Sequence, residues 1–351
     1  MSAPSTSNAS EILDGLWYLA AVSSELRAGA MVRRVLFGAP VALGRDAAGT
    51  AFALRDVCPH RAAPLSAGRL CDGGASVECP YHAWRFRTDD GACAGAPALP
   101  SDSGVDASTI RVRKFQLYES HGLVWLYHGD GAPETSPPDI GLPDTYRPKT
   151  VTVVAGAGPF DEAVIGLVDP AHTPTVHKQW WWRDGAPRHD KEKRYEPTKL
   201  GFKMPAHAPS SNTRIYKFIG GAPTTEIEFR LPALRLEHIR NDKRRILGLT
   251  AMTPGAENET RIVHVIFWDF ALLDLMRPVA KRMADNFLAQ DGAILRLQNE
   301  NLKIIDHRPL YLGDADEPAK WYLRLKRAWA VRAQEGGFKN PLQPGVLRWR
   351  T

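Results

Sequence analysis

Four residues in the first quarter of the chain combine the types and spacing that hold metal. Cys58-Pro59-His60 is followed by Cys79-Pro80-Tyr81-His82, giving C-x-H and then C-x-x-H. Each stretch offers one thiolate and one imidazole. Zinc accepts two of each, but its sites usually draw paired Cys from one loop and paired His from another. Mixed pairs suit a [2Fe–2S] cluster in which one iron takes the two Cys and the other the two His. Imidazole in place of thiolate removes negative charge and raises the reduction potential. A zinc-binding or disulfide-bearing loop pair is the alternative that residue types alone leave open. Cys71 and Cys93 complete the cysteine set, and nothing beyond residue 93 adds to it. They are expected to be small buried residues, with a surface thiol or redox pair as the alternative.

A second constellation reads Asp169-Pro170-Ala171-His172-Thr173-Pro174-Thr175-Val176-His177, or D-x-x-H-x-x-x-x-H. Two histidines five positions apart can share a site when Pro174 bends the chain between them. Alone, such a pair is as easily surface or core. Asp169 before Pro170 also reads as the cap and first position of a helix.

The text from Cys58 to Gly68 and from Cys79 to Phe86 resembles that of Rieske proteins. It lacks the extra cysteine per loop of the respiratory kind and is similar to the ferredoxin and oxygenase kind. Together with Asp169–His177, the chain resembles the catalytic α subunit of Rieske non-haem iron oxygenases, in the vanillate O-demethylase and pheophorbide a oxygenase-like group. The resemblance implies that Cys58, His60, Cys79 and His82 bind the cluster. It implies that His172, His177 and one carboxylate hold a mononuclear Fe(II) on one face, leaving the other open to O2 and water. The third ligand is taken from a late helix, where Asp291 in Phe287-Leu288-Ala289-Gln290-Asp291-Gly292 fits best; Asp285 and Glu300 are the fallbacks. Asp169 is implied to bridge His172 and His82 of the partner subunit, which requires a cyclic homotrimer. Many relatives carry an Asn or Glu three or four residues before the bridging Asp. Here Gly166 and Ile165 stand there, with Glu162 further upstream, so no such helper is assigned.

The implied activity uses O2, and electrons from a separate NAD(P)H-dependent reductase or ferredoxin, to hydroxylate or oxidatively demethylate an apolar or aromatic small molecule. A ring-hydroxylating dioxygenase forming cis-diols, and an electron-transfer or binding protein without oxygenase activity, are the two alternatives. No nucleotide or flavin fingerprint is visible, in keeping with an external electron source.

These residues need elements to position them. The 351 residues are 44% hydrophobic and 24% charged, enough for two domains with sizeable cores. Short apolar runs at 32–37, 40–43, 51–54 and 123–127, with a turn at Asp46–Gly49, predict an all-β domain over 15–128. The Pro- and Gly-rich stretch 129–150 reads as a linker. Over 151–351, strands are expected at 150–155, 225–231, 245–253 and 261–270, and helices at 161–167, 278–304 and 321–329. The fold class is therefore α+β: an all-β cluster domain, then a catalytic domain in which, as the resemblance implies, an antiparallel sheet grips the long helix. The net charge of +6 is dispersed and does not argue for nucleic acid. No apolar stretch approaches a membrane span, and the polar N-terminus lacks a signal-peptide pattern; a cytoplasmic protein is the expectation. Trp180, Trp181 and Trp182 are candidates for lining a pocket or a subunit contact. Arg183, Arg188, Lys191, Lys193 and Arg194 read as a solvated basic face.

Overall fold

The computed structural model describes residues 12–100, 102–177, 179, 189–209, 221–305, 307 and 309–350. Trp180–Trp182, Arg183 and Arg188 lie outside them. The chain divides into two compact units, with the boundary at Asp139/Ile140.

The first unit is all β, with three small antiparallel sheets. Its strands are β1 (Leu16–Val22), β2 (Ala30–Leu36), β3 (Ala39–Arg45), β4 (Ala51–Arg55), β5 (Arg69–Cys71), β6 (Ser76–Glu78), β7 (Arg85–Arg87), β8 (Cys93–Gly95), β9 (Leu117–Ser120) and β10 (Leu123–His128). They order as β1-β10-β9, β2-β3-β4 and β5-β6-β7-β8. The expected turn between β3 and β4 is closed by Asp46, whose Oδ1 accepts from the Thr50 amide at 2.7 Å. Phe52, Leu54, Leu65, Val77, Trp84, Phe86 and Val112 form one buried cluster that includes Cys58 and Cys79. Each large apolar side chain fully buried there contributes about 1.5–3 kcal/mol.

In the second unit one eight-stranded antiparallel sheet dominates. Its strands are β11 (Thr150–Val154), β12 (Asp190–Thr198), β13 (Gly201–His207), β14 (Thr224–Arg230), β15 (Leu234–Arg240), β16 (Arg245–Pro254), β17 (Thr260–Trp268) and β18 (Gly345–Arg350). The order is β11-β17-β16-β15-β14-β13-β12-β18. The helices are α1 (Phe160–Val168), α2 (Thr173–Val176), α3 (Ala271–Leu275), α4 (Arg277–Leu302) and α5 (Glu317–Ala330). Directly paired residues in antiparallel strands point to the same face. The register thus carries one face from Thr152 through His264, Thr250, Arg235 and Phe229 to Phe202. At one end of that row Thr152 donates to Asp285 of α4 at 2.7 Å. At the other, Trp321 and Tyr322 of α5 stack edge-on to Phe202 and Phe229. Both helices therefore pack on the same face of the sheet, and the α+β class with a gripped long helix is the observed architecture.

The structure refines two of the sequence expectations. Lys191, Lys193 and Arg194 lie in β12, whose first six residues pair with β18, from Asp190↔Arg350 to Tyr195↔Gly345; Arg194 is exposed there, as a solvated face requires. Cys71 and Cys93 are half-buried, not buried, and both are free thiols. They sit on the two outer strands of the β5-β6-β7-β8 sheet, three spacings of about 4.8 Å apart, well beyond the roughly 7 Å that a disulfide spans.

Candidate functional site

The two cysteine–histidine stretches of the first unit fold as equivalent loops. Cys58 accepts at its carbonyl from the Ala62 amide and donates its own N–H to Ala63 O. Cys79 does the same with Ala83 and Trp84, at 2.8–3.1 Å throughout. Ala62 and Ala83 both sit at φ 57°, the left-handed turn that closes each loop. For an L residue this conformation costs about 1–2 kcal/mol, and the four loop hydrogen bonds offset it. Asp56, fully buried, ties the first loop shut by accepting from the Ser66 amide and hydroxyl at 2.7 and 2.6 Å. Gly68 then passes so close to the second loop that a Cβ there would lie 1.8 Å from Glu78 O.

Cys58 and Cys79 are buried, while His60 is exposed and His82 half-buried. The imidazole centroids of His60 and His82 are 4.6 Å apart, and His60 stacks on Trp84 at 5.0 Å with 13° between planes. Burial, and then the neighbouring Cys79 thiol, raise the Cys58 pKa; backbone amides of His60 and Arg61 aimed at the sulfur pull the other way. Desolvation, then His82 and Arg61, hold His60 below its ordinary value and keep it neutral. His82 Nδ1 is buried without a hydrogen-bond partner. Two buried thiols side by side, with two imidazoles at the rim, one of them with a buried and unpartnered Nδ1, fit an Fe₂S₂ group with two Cys and two His ligands.

In the second unit, α1 ends at Asp169 rather than a helix beginning there. The Asp169 amide bonds Ile165 O at 3.1 Å, and its Oδ1 accepts from the Ala171 amide at 2.7 Å. The helix-cap reading of Asp169 before Pro170 is thus replaced by a turn. Its other oxygen, Oδ2, faces His172 Nδ1 at 3.5 Å. The chain between the histidines is the single helical turn α2, not a proline bend. Pro174 occupies its first turn, where the missing N–H has no intrahelical partner to lose. His172 and His177 flank that turn and point the same way.

Asp291 arrives from α4. Its Oδ1 lies 3.2 Å from His177 Nε2 and 3.7 Å from His172 Nε2. The three ligand atoms fall within 4.8 Å of one another, and theirs is the single such group among the described residues. Ligand atoms roughly 2.1 Å from one ion lie about 3–4 Å apart, so the spacing suits a single metal ion. His177 Nε2 is buried with no hydrogen-bond partner, the mark of a donor set shaped for a cation. Burial lowers the His172 pKa, but the Asp169 and Asp291 carboxylates outweigh it and leave His172 above its ordinary value. The fallback carboxylates are elsewhere: Asp285 binds Lys281 at 2.6 Å and Thr152, and Glu300 is exposed. Glu162 accepts from Tyr311 at 3.4 Å and takes no part in the triad.

Sequence reasoning missed three neighbours. Phe287 stacks face to face on His177, with centroids 3.4 Å apart and 15° between planes. Gln290 Oε1 lies 3.1 Å from His177 Nδ1. Both were legible in principle, since positions 287, 290 and 291 share one helix face. His264 sits on the sheet face that α4 covers, with Nδ1 2.9 Å from Thr250 Oγ1. Burial pushes its pKa down to about 4, so it stays neutral. Gly292 lets α4 approach β11: a Cβ there would meet Val154 Cγ1 at 2.8 Å.

An all-β unit with paired Cys/His loops, followed by a helix-gripping sheet with a two-His, one-carboxylate group, defines a class. Residues 16–116 match the Rieske [2Fe-2S] domain family. The chain thus contains a Rieske [2Fe-2S] domain, and the relatives and the solved structure that it is similar to are oxygenases. It is 34% identical over 172 residues to chlorophyllide a oxygenase of Chlamydomonas reinhardtii, covering 48% of this chain and 25% of the relative. It is 33% identical over 218 residues to the oxygenase component of dicamba O-demethylase of Stenotrophomonas maltophilia, covering 59% and 60%. The matches thus span from a quarter to three fifths of these relatives. Its fold is that of dicamba monooxygenase bound to 3,6-dichlorosalicylic acid, with a TM-score of 0.71 at 23% identity over 92% of this chain and 99% of that one.

Proposed function

We propose that this chain is an oxygenase component that hydroxylates or oxidatively demethylates an apolar or aromatic small molecule, using O2 and electrons from a separate reductase or ferredoxin. The observation that carries this is the convergence of His172, His177 and Asp291 on one point, with Asp169 behind His172, in a chain that also holds a Rieske domain. When bound, the mononuclear iron would supply O2 activation and the cluster would supply electrons.

In this reading the buried Cys58 and Cys79 would hold one iron of the cluster, and His60 and His82 would hold the other. His172, His177 and Asp291 would hold the Fe(II), which would supply O2 activation there. Asp169 Oδ2, 3.5 Å from His172 Nδ1, would favour the proton on that nitrogen and leave Nε2 to the ion. The side chain of Asp169 remains one-third exposed, which leaves it able to meet His82 of the partner subunit in a cyclic homotrimer. The histidine–carboxylate–histidine path would then carry the electron between subunits.

The test is a screen of methyl ethers, N-methyl compounds and arenes with a surrogate reductase, following O2 uptake and products by mass spectrometry. Formaldehyde release with about three Fe per chain supports the proposal; cis-diols would make it a dioxygenase. About two Fe per chain and no coupled O2 uptake would leave an electron carrier.

A further inference from the structure

His177 is fully buried, and one turn of α4 sets each of its degrees of freedom. Phe287 fixes the plane of the ring by stacking on it. Asp291 stands at its Nε2 edge, 3.2 Å away. Gln290 stands at the opposite edge, its Oε1 3.1 Å from Nδ1. An amide oxygen only accepts, so this contact requires the proton on Nδ1 and leaves the Nε2 lone pair facing Asp291 and the ion position. A reversed amide would donate to Nδ1, move the proton to Nε2 and block the ion.

From this geometry we infer that Gln290 is a positioning residue of the mononuclear metal site, holding His177 in the one tautomer that can ligate. The inference rests on the reading of His177 as a ligand. It also makes the two histidines unequal. His172 is backed by a carboxylate, Asp169, whereas His177 is backed by a neutral amide. A carboxylate at 290 would add a second negative charge next to Asp291. The amide keeps the orientation without that charge, so the site's net charge is set by Asp291 and Asp169 alone.

The test uses full-length protein that retains its cluster and has had its mononuclear metal removed with a chelator. Co(II) is titrated in and read by its d–d absorption, which requires no turnover. Gln290→Leu is expected to weaken Co(II) binding by about 10–100-fold and to alter the d–d bands, with the cluster spectrum unchanged. Gln290→Glu keeps an acceptor at the same distance and restores binding to the wild-type level or tighter. Gln290→Met, of similar length without an acceptor, replaces Gln290→Leu if the latter does not fold. Wild-type affinity and bands in Gln290→Leu or Gln290→Met overturn the inference. So does a Gln290→Glu variant as weak as Gln290→Leu, because packing rather than hydrogen bonding would then be the cause. A wild-type protein that takes up no Co(II) overturns the proposed metal site and the inference together.

Discussion

The two metal centres are positioned over different ranges of sequence. Cys58 to His82 is one short stretch, and each cluster loop is closed by its own backbone hydrogen bonds, from Cys58 to Ala62 and Ala63 and from Cys79 to Ala83 and Trp84. The iron triad joins a one-turn helix at 173–176 to a residue in the middle of α4, and the path between them runs through most of the eight-stranded sheet. A centre built from local loops is damaged mainly by changes within those loops. A centre built across a sheet is also exposed to changes in packing far from the ligands. The supports differ in kind as well: main-chain hydrogen bonds hold the cysteines, whereas side chains (Asp169, Phe287, Gln290) hold the histidines of the triad.

Removing a cluster ligand should have the largest effect. Cys79→Ser is expected to abolish the red-brown colour, the EPR signal of the reduced cluster and all reductase-driven turnover. A variant that keeps its visible spectrum would break the assignment of that loop.

His172→Ala or Asp291→Ala should abolish oxygenation and mononuclear metal uptake while leaving the cluster spectrum intact, because the two ligand sets lie in separate compact units. Loss of cluster colour in either variant would show that the centres are not structurally independent.

Asp169→Asn tests the carboxylate behind His172. Both metals should remain while turnover falls by more than the roughly 10–100-fold typical of such supporting hydrogen bonds. Stopped flow with pre-reduced enzyme, substrate and O2 reads the step directly. Cluster reoxidation at the wild-type rate would remove Asp169 from the electron path and leave it as the turn that ends α1.

Gly292→Ala probes the dependence of the iron site on packing. A new Cβ 2.8 Å from Val154 Cγ1 must push α4 away from β11. The alanine gains helix propensity, about 1 kcal/mol, against an overpacking cost of about 1–3 kcal/mol. A net loss of stability and weaker metal binding are expected, with the cluster unaffected. Val154→Ala in the same chain should restore both; no rescue would mean that the close approach does not position Asp291.

The smallest expected effect is in the other centre. Ala83→Gly relieves the left-handed strain at φ 57° but adds chain entropy to the unfolded state. Thermal unfolding should show a gain of about 1 kcal/mol or less, with an unchanged cluster spectrum. A clear loss would mean that the Ala83 methyl group packs in a way the loop hydrogen bonds do not reveal.

The sequence by itself determined the local features. The spacing of Cys58, His60, Cys79 and His82 was readable because their geometry is made within the loops that carry them. The pair His172 and His177 was readable as a unit because one helical turn separates them. The long helix and the strands at 245–253 and 261–270 were legible from their apolar periodicity, since their buried faces recur at fixed spacing. Tertiary structure decided the rest. β12, reading Asp190-Lys191-Glu192-Lys193-Arg194, has almost no apolar pattern and is a strand because it pairs with β18, whose partner residues lie at the far end of the chain. The choice of Asp291 over Asp285 and Glu300 rests on which turn of α4 reaches the histidines, and that is set by the close approach of Gly292 to Val154. His264 reads as an ordinary histidine in sequence. Only the strand register shows that it faces α4, and only its depth makes it neutral. Gln290 and Phe287 lie on the right helix face, but which residue they support depends on a loop from a distant part of the chain. Local spacing fixes the chemistry available to a ligand set, while long-range packing fixes which residues complete and orient it.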